Sequence, residues 1–131
     1  MNKFLLISII LLVTSCATFN PQKASKKVIE GSYTIVKRET NLSNPNSIIT
    51  GIVYDKESNN PIKGAVVQLE GIKKGDFTNE QGQFYLEIPE QGSFKVQVVN
   101  VGHTTISTEP IRFNSQTKTE INFYLGTAIE Y

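Results

Sequence analysis

Residues 83–98 have the sequence QFYLEIPEQGSFKVQV, in which apolar and polar side chains alternate in two short runs. Successive side chains of a β-strand point to opposite faces, so a period of two indicates strands with one buried and one solvated face. The two runs are separated by a turn signal that includes Gly92. The residues expected to face inward are Phe84, Leu86, Ile88, Phe94, Val96 and Val98. The stretch therefore predicts two amphipathic strands.

The same pattern continues on both sides of this stretch, and no segment from residue 48 onward keeps a helical period. Short strands separated by turns rich in Gly, Asn and Pro are typical of β-sandwiches. The predicted strands are Ile48 to Tyr54, Ala65 to Leu69, a short piece near Phe77, Gln83 to Ile88, Phe94 to Val101, Thr104 to Phe113 and Thr117 to Leu125. The sequence thus predicts an all-β, seven-stranded antiparallel β-sandwich.

Five blocks of this region resemble, in order, the pattern of carboxypeptidase-regulatory-like domains. The blocks are GIVYD (51–55), PIKGAVVQL (61–69), TNEQGQFYL (78–86), GSFKV (92–96) and VGH (101–103). The resemblance covers Ile49 to about Tyr124 and implies a transthyretin-like (prealbumin-like) β-sandwich. The chain departs from the pattern at Asn79, where the family usually has aspartate, and at His103, where it usually has tyrosine.

The N-terminus has the features of an export signal. Met1 to Lys3 form a short basic start, and Phe4 to Val13 form an apolar run about ten residues long. A helix that spans a membrane needs about twenty. The run ends in Val13-Thr-Ser-Cys16, which resembles the lipobox of bacterial lipoproteins of the Bacteroidetes type. The alternatives are an ordinary secretory signal with a chance cysteine and an uncleaved anchor helix.

The lipobox resemblance implies cleavage before Cys16, a diacylglyceryl thioether on its sulfur and a further acyl chain on the new amino group. Several acyl chains anchor a protein stably, whereas a single chain binds a membrane only marginally. Ala17 follows the cysteine, in place of the aspartate that in enteric bacteria favours inner-membrane retention. We therefore expect a protein of the cell envelope, held by lipid on Cys16 to the outer membrane.

Three segments follow from these patterns: a signal peptide over residues 1–15, a lipidated N-terminus and linker over 16–47, and the β-sandwich over 48–131. The linker is polar and mixed in charge and contains Pro21 and Pro45, which break helical continuity. A coil of roughly thirty residues would hold the domain about 30 Å from the membrane. Within it, the β-prone residues 32–36 (SYTIV) leave open whether an additional edge strand forms.

Composition argues against several classes of function. The formal net charge of +1 lacks the basic excess with which proteins neutralise nucleic-acid phosphates, so we expect no nucleic-acid partner. Cys16 and His103 are the only residues of their types, so neither an intramolecular disulfide nor a zinc site of Cys and His ligands is available. We predict no metal and no cofactor.

No group of residues has the pattern of a catalytic site, and we predict that the protein is not an enzyme. His103 is the only base available for nucleophilic catalysis, and its position after Gly102 is typical of a ring that packs at a strand end. Asp76 and Glu80 lack the alternating acidic ligands of a calcium loop. The glutamates that a glycosidase pair would require are scattered along predicted strands, at Glu70, Glu87 and Glu120.

Tyr54, Tyr85 and Tyr124 fall on the predicted outer faces of strands. Exposed tyrosines anchor protein interfaces and stack on sugars. We therefore predict a membrane-anchored envelope lipoprotein with a non-catalytic structural or protein-interaction module and an envelope protein as its partner. The alternative is a surface lipoprotein that binds a carbohydrate or another small ligand.

The lipobox interpretation predicts that the mature chain begins at an acylated Cys16. Mass spectrometry of the protein from its native membrane should detect the lipid mass on this residue. Cys16→Ser should abolish the modification and leave the precursor unprocessed, because the thiol is the attachment point. A mature protein with a free Cys16 thiol would contradict the interpretation.

Overall fold

The computed structural model describes residues 27–40, 42–89 and 91–129, and within these residues it contains strands and turns but no helix. The strands are β1 (Lys27–Val28), β2 (Ser32–Glu39), β3 (Ser47–Asp55), β4 (Val66–Leu69), β5 (Gly75–Phe77), β6 (Gln83–Ile88), β7 (Gly92–Phe94), β8 (Val96–Val99), β9 (Ile106–Ser107), β10 (Ile111–Phe113), β11 (Lys118–Leu125) and β12 (Ala128–Ile129).

Two four-stranded sheets form the body of the domain, with strand orders β2-β11-β3-β6 and β5-β4-β8-β9. Strands β7 and β10 form a further pair, as do β1 and β12. Along β11 burial alternates residue by residue, so that one face meets the core and the other faces solvent. Residues from both large sheets contribute to a single hydrophobic core, which includes Ile49, Phe84, Val98, Ile121 and Phe123. The predicted all-β sandwich is confirmed.

The pairing directions differ from the prediction at one place. β3 and β11 are parallel, whereas the other strand pairs of the described chain are antiparallel. Parallel neighbours require a long connection, and here the rest of the domain lies between the two strands. Because no hairpin turn joins β3 to β11, the alternation of apolar residues in the sequence does not indicate the relative direction of these two strands.

Each of the seven predicted runs forms a strand, but the fifth and sixth are each divided in two. Between β9 and β10 lies Pro110, which has no N–H to donate to a ladder. Thr108 also interrupts the regular pairing, because its Oγ1 accepts the hydrogen bond from the N–H of Val96 at 3.0 Å. The fifth and sixth predicted strands are therefore divided where Pro110 lacks a donor and where a side-chain hydrogen bond of Thr108 takes the place of a backbone one.

The predicted linker over residues 16–47 differs from the structure in its second half. β2 runs antiparallel to β11, with a bulge opposite the Glu120–Ile121 step, and β1 pairs with β12. Tyr33 packs against the core, its ring 6.2 Å from that of Phe123. A buried aromatic contact and a ladder of hydrogen bonds thus make residues 32–39 part of the sheet, and the domain begins before residue 48. The signal peptide and Cys16 lie outside the described residues.

Thr78 connects two of the sequence blocks through its buried hydroxyl. Its Oγ1 donates to the carbonyl of Ile62 at 2.6 Å and accepts from the N–H of Ala65 at 2.9 Å. One residue further on, Asn79 Oδ1 accepts from the N–H groups of Gln81 and Gln83. An aspartate carboxylate can accept the same bonds, so the departure from the family pattern at this position preserves the turn.

Gly51 allows β3 and β11 to approach closely. A Cβ atom at this position would lie 1.7 Å from the carbonyl oxygen of Ile121 and 3.0 Å from the ring of Phe84. Beside it, the N–H of Ile52 donates to the side-chain Oδ1 of Asn122 at 3.1 Å instead of to a backbone carbonyl. Any side chain at residue 51 would therefore force apart the two central strands.

We predict that Gly51→Ala destabilises the protein by about 2 to 3 kcal/mol, because the added methyl group can be accommodated only if backbone moves. Urea unfolding followed by far-UV circular dichroism measures the change. The control is Thr34→Ala on the exposed face of β2, which should change the free energy of unfolding by no more than about 0.5 kcal/mol. Equal stability of the two variants would show that the strands can separate at little cost.

Candidate functional site

The three predicted tyrosines all lie on the outer face of the sheet β2-β11-β3-β6, but the structure brings only two of them together. Tyr54 and Tyr124 are register partners on the parallel strands β3 and β11. Their rings stack with centroids 5.4 Å apart and an interplanar angle of 14°. Each ring thus covers one face of the other and leaves less aromatic surface for a partner.

Tyr85 lies apart from this pair, on β6, and is 50% exposed. It borders a shallow depression of about 490 Å³ on the side of the sandwich where β5 and β6 meet. Phe77 of β5 lines the same depression and is 69% exposed. The sequence predicts a short strand near Phe77 but no site there. The signal for a site is an aromatic residue next to Asp76, in a strand of three residues that is too short to bury it.

A second feature that the sequence did not predict as a site is the outer edge of β2. This strand is eight residues long, pairs only with β11 among the described strands, and carries Ile35 and Val36 with exposed fractions of 39% and 51%. A groove lies next to it, between residues 28–33 and residues 104–107, and its apolar side chains are those of Val28, Tyr33 and Ile106. The sequence signal was the β-prone segment 32–36, which stands out from the polar residues around it.

His103 packs near Asp55 at the turn after β8. Its Nδ1 lies 2.9 Å from the amide nitrogen of Asn100, and its Nε2 lies 3.9 Å from Oδ1 of Asp55. The other oxygen of Asp55 accepts a hydrogen bond from the hydroxyl of Ser58 at 3.1 Å. The carboxylate therefore lies between the serine and the histidine, whereas a nucleophilic triad places the histidine between the serine and the acid.

The residues considered for calcium have other partners. Asp76 Oδ2 accepts from the backbone N–H of Tyr85 at 3.0 Å, and Glu80 lies 3.5 Å from the amine of Lys63. In the part of the chain that the structure describes, no three His, Cys, Asp or Glu side chains are grouped so that they would hold a metal ion.

The three scattered glutamates remain separate in their contacts. Glu70 accepts from the hydroxyl of Ser107 at 2.6 Å. Glu120 lies on the outer face of β11, as a register partner of Lys37 and Thr50. Glu87 accepts from the side-chain amides of Asn44 and Asn46 at 2.7 and 2.9 Å.

The hydrogen bonds from Asn44 and Asn46 favour the charged form of Glu87 and lower the pKa of its carboxyl group. The general acid of a glycosidase needs the opposite shift, since it must keep its proton near neutral pH. The contacts instead attach the loop before β3 to the end of β6, which is a structural role.

The two packed sheets, with exposed apolar groups at their edges, define the class of β-sandwich domains. The family model described as CarboxypepD_reg-like domain matches residues 49–130. Because this match covers more than half of the chain, the chain belongs to the CarboxypepD_reg-like domain family. The predicted family and its transthyretin-like fold are confirmed.

Solved structures give a similar result for the fold. A chain in the C-terminal interface mutant of a type II Cohesin-X-Dockerin complex from Acetivibrio cellulolyticus has 17% identity and a TM-score of 0.50, over 58% of this chain and 51% of that chain. The N-terminal interface mutant has 18% identity, a TM-score of 0.49 and the same coverages. This chain spans about half the length of each of those chains, and at 17% identity the first match supports the fold alone. No curated protein sequence matches significantly.

Among the described residues, no helix is long and apolar enough to cross a membrane.

The partners of Glu87 predict a specific pH dependence. Its folded-state pKa lies below its ordinary value of 4.5, so its contribution to stability is present above that value and is lost as the pH falls through the folded pKa. Replacing both Asn44 and Asn46 with alanine should return the pKa towards 4.5 and weaken the acid-side loss of stability.

Carbon-detected NMR titration of the Glu87 carboxyl group measures this pKa directly. Asn114→Ala is a matched control, because Asn114 contacts Arg112 and does not contact Glu87. An unchanged pKa in the double variant would mean that the amide hydrogen bonds do not hold the carboxylate in solution.

Proposed function

We propose that this chain is a lipid-anchored protein of the cell envelope whose β-sandwich has a non-catalytic role and binds an envelope protein by adding a strand of the partner to the open edge of β2. The observation that carries the proposal is the length and exposure of that edge. In an edge strand, backbone N–H and C=O groups of alternate residues point away from the sheet and have no ladder partner. An extended segment of another protein can pair with them.

The other edges of the two large sheets are shorter or protected. β9 has two residues and β5 has three. β6 has six residues, but Asp76 accepts a hydrogen bond from the N–H of Tyr85 on that strand. β2 is the longest exposed edge in the described part of the chain, with eight residues. Strand addition is therefore better accommodated at β2 than at any of these edges.

The two halves of β2 differ in how they would receive a strand. The bulge lies at Val36, which has no register partner on β11, and the charged pair Lys37 and Arg38 follows it; both features discourage indiscriminate pairing of edges. The half from Ser32 to Ile35 pairs regularly with β11 and carries no charge, and the exposed aliphatic side chains of Ile35 and Val36 lie at its end. The partner strand should thus pair with the N-terminal half, where the adjoining groove accepts apolar side chains.

The proposed anchor is supported by the basic start, the short apolar run and the lipobox-like Val13-Thr-Ser-Cys16. Ten residues, 17–26, separate Cys16 from β1. Fully extended, such a segment spans at most about 35 Å. A domain on this tether would remain close to the membrane surface, where β2 would meet partners in the same membrane. Ala17, which stands where an aspartate would favour inner-membrane retention in enteric bacteria, supports an anchor in the outer membrane.

The proposal predicts position-specific crosslinking in the native envelope. A photoreactive amino acid at Thr34 should crosslink to a discrete envelope protein, because this residue lies in the open half of β2. The same probe at Val101, which is 96% exposed in the turn after β8, should not. Val36→Lys should reduce the Thr34 product at least fivefold, since it places a charge on the exposed edge.

The matched control is Val101→Lys, which adds the same charge at a distant exposed valine and should leave the Thr34 product unchanged. Identical products from the two probe positions, or loss of the product in both lysine variants, would rule out the β2 edge as the binding surface.

A further inference from the structure

A second surface lies at the other edge of the same sheet, where β6 meets β5. The depression of about 490 Å³ at this edge is open to solvent, and its volume falls within the range of small-molecule sites. Its lining combines aromatic, amide, hydroxyl, carboxylate and ammonium groups. These groups belong to Thr50, Asp76, Phe77, Gln83, Tyr85, Lys118 and Glu120.

Two aromatic side chains provide the apolar part of this surface. Phe77 and Tyr85 are 69% and 50% exposed, and neither stacks on another described ring, unlike Tyr54 and Tyr124. An exposed phenylalanine ring has no hydrogen-bonding group of its own, so covering it with an apolar surface lowers the free energy of the system. A ligand with an apolar face would therefore be stabilised here.

The backbone at the depression is held in place by polar contacts. The hydrogen bond from the Tyr85 N–H to Asp76 Oδ2 joins β6 to β5 and fixes the spacing of the two strands that carry the aromatic rings. Gln83 is oriented by Asn79, whose amide donates to Gln83 Oε1 at 3.1 Å. The Gln83 amide nitrogen remains available as a donor. A surface fixed before binding loses less conformational entropy when a ligand binds.

Donors and acceptors surround the rings on the β3 and β11 side. Thr50 is the register partner of both Tyr85 and Glu120, so a hydroxyl, a phenol and a carboxylate form one row across the sheet. The lining carries two carboxylates, Asp76 and Glu120, and one ammonium group, Lys118. The lining side chains thus carry one excess negative charge. This charge disfavours binding of a phosphate or another anion and favours a ligand whose hydroxyl groups donate hydrogen bonds.

We infer that this depression binds a neutral saccharide. A pyranose ring presents an apolar face of C–H groups that stacks on an aromatic ring, and hydroxyl groups around its rim that bond to carboxylates and amides. In the depression, aromatic rings lie beside carboxylate and amide groups. Its open shape accommodates part of a longer saccharide chain. The inference is independent of strand binding at β2, because it depends on β5 and β6 and not on the open edge.

Calorimetric titration of the intact protein tests this inference. The protein is purified in a zwitterionic detergent without sugar groups, and three soluble probes are used: the hexasaccharides of β-1,4-linked glucose, β-1,4-linked N-acetylglucosamine and α-1,4-linked glucose. At least one should bind saturably. Tyr85→Ala and Phe77→Ala should each weaken that binding at least tenfold.

Tyr85→Phe is the informative partner variant, because it keeps the ring and should retain most of the affinity. Val101→Ala removes a similarly exposed apolar side chain elsewhere and should have no effect. Circular dichroism establishes that each variant is folded. No saturable binding of any probe up to 10 mM (a limit of about 2.7 kcal/mol), or binding that survives both alanine substitutions, would overturn the inference and leave the β2 proposal unaffected.

Discussion

Gly51 and the backbone of Ile121 meet so closely that a Cβ atom would fit only if backbone moved, and this close approach joins β3 to β11 at the centre of the sheet β2-β11-β3-β6. β3 lies near the start of the domain and β11 near its end, so their parallel pairing requires the two ends of the fold to meet. β2 then pairs only with β11. The sheet therefore depends on the last long strand, since without it β2 and β3 have no connection.

This dependence extends to the surfaces of the protein. Tyr124 and Glu120 stand beside Tyr54 and Thr50 on the outer face because β11 pairs in parallel with β3. The pairing of β2 with β11 also incorporates residues that otherwise resemble a linker, and so shortens the tether proposed between Cys16 and the domain from roughly thirty residues to ten. An anchor on Cys16 would accordingly reach the sandwich at its β1 and β2 side, close to the open edge.

The alternation of apolar residues was sufficient to predict the strands and their inward faces, because burial on one side of a strand imposes a period of two. Residues such as Phe84, Leu86 and Val98 are buried as predicted. Pairing direction was not predictable for β3 and β11, since local pattern carries no information about strands joined by a long connection. The sequence does not decide whether residues 32–36 form a strand, because the charged residues Lys37, Arg38 and Glu39 follow them directly. In the structure most residues of β2 are exposed, including both aliphatic ones.

The candidate surfaces were harder to predict than the strands. Period-two reasoning assigned Tyr54, Tyr85 and Tyr124 to outer faces, but their separation into a stacked pair and a solitary ring depends on the register between β3 and β11. Phe77 belongs to a candidate binding surface only because β5 lies beside β6, and this placement depends on how the two sheets pack. An edge strand is likewise a property of topology, because no residue of β2 indicates that its second side lacks a neighbour.

The two proposed sites occupy opposite edges of one sheet, with β11 and β3 between β2 and β6. Three strand spacings of about 4.8 Å separate these edges by about 14 Å. A strand added to β2 extends the sheet in its own plane and away from β6, so it would not cover the depression beside Tyr85. Both proposed ligands could therefore be bound at once, and the β2 edge proposed to receive a protein partner is also the edge nearest the proposed anchor. A protein held in this way would present its saccharide surface on the side of the sheet opposite its membrane attachment.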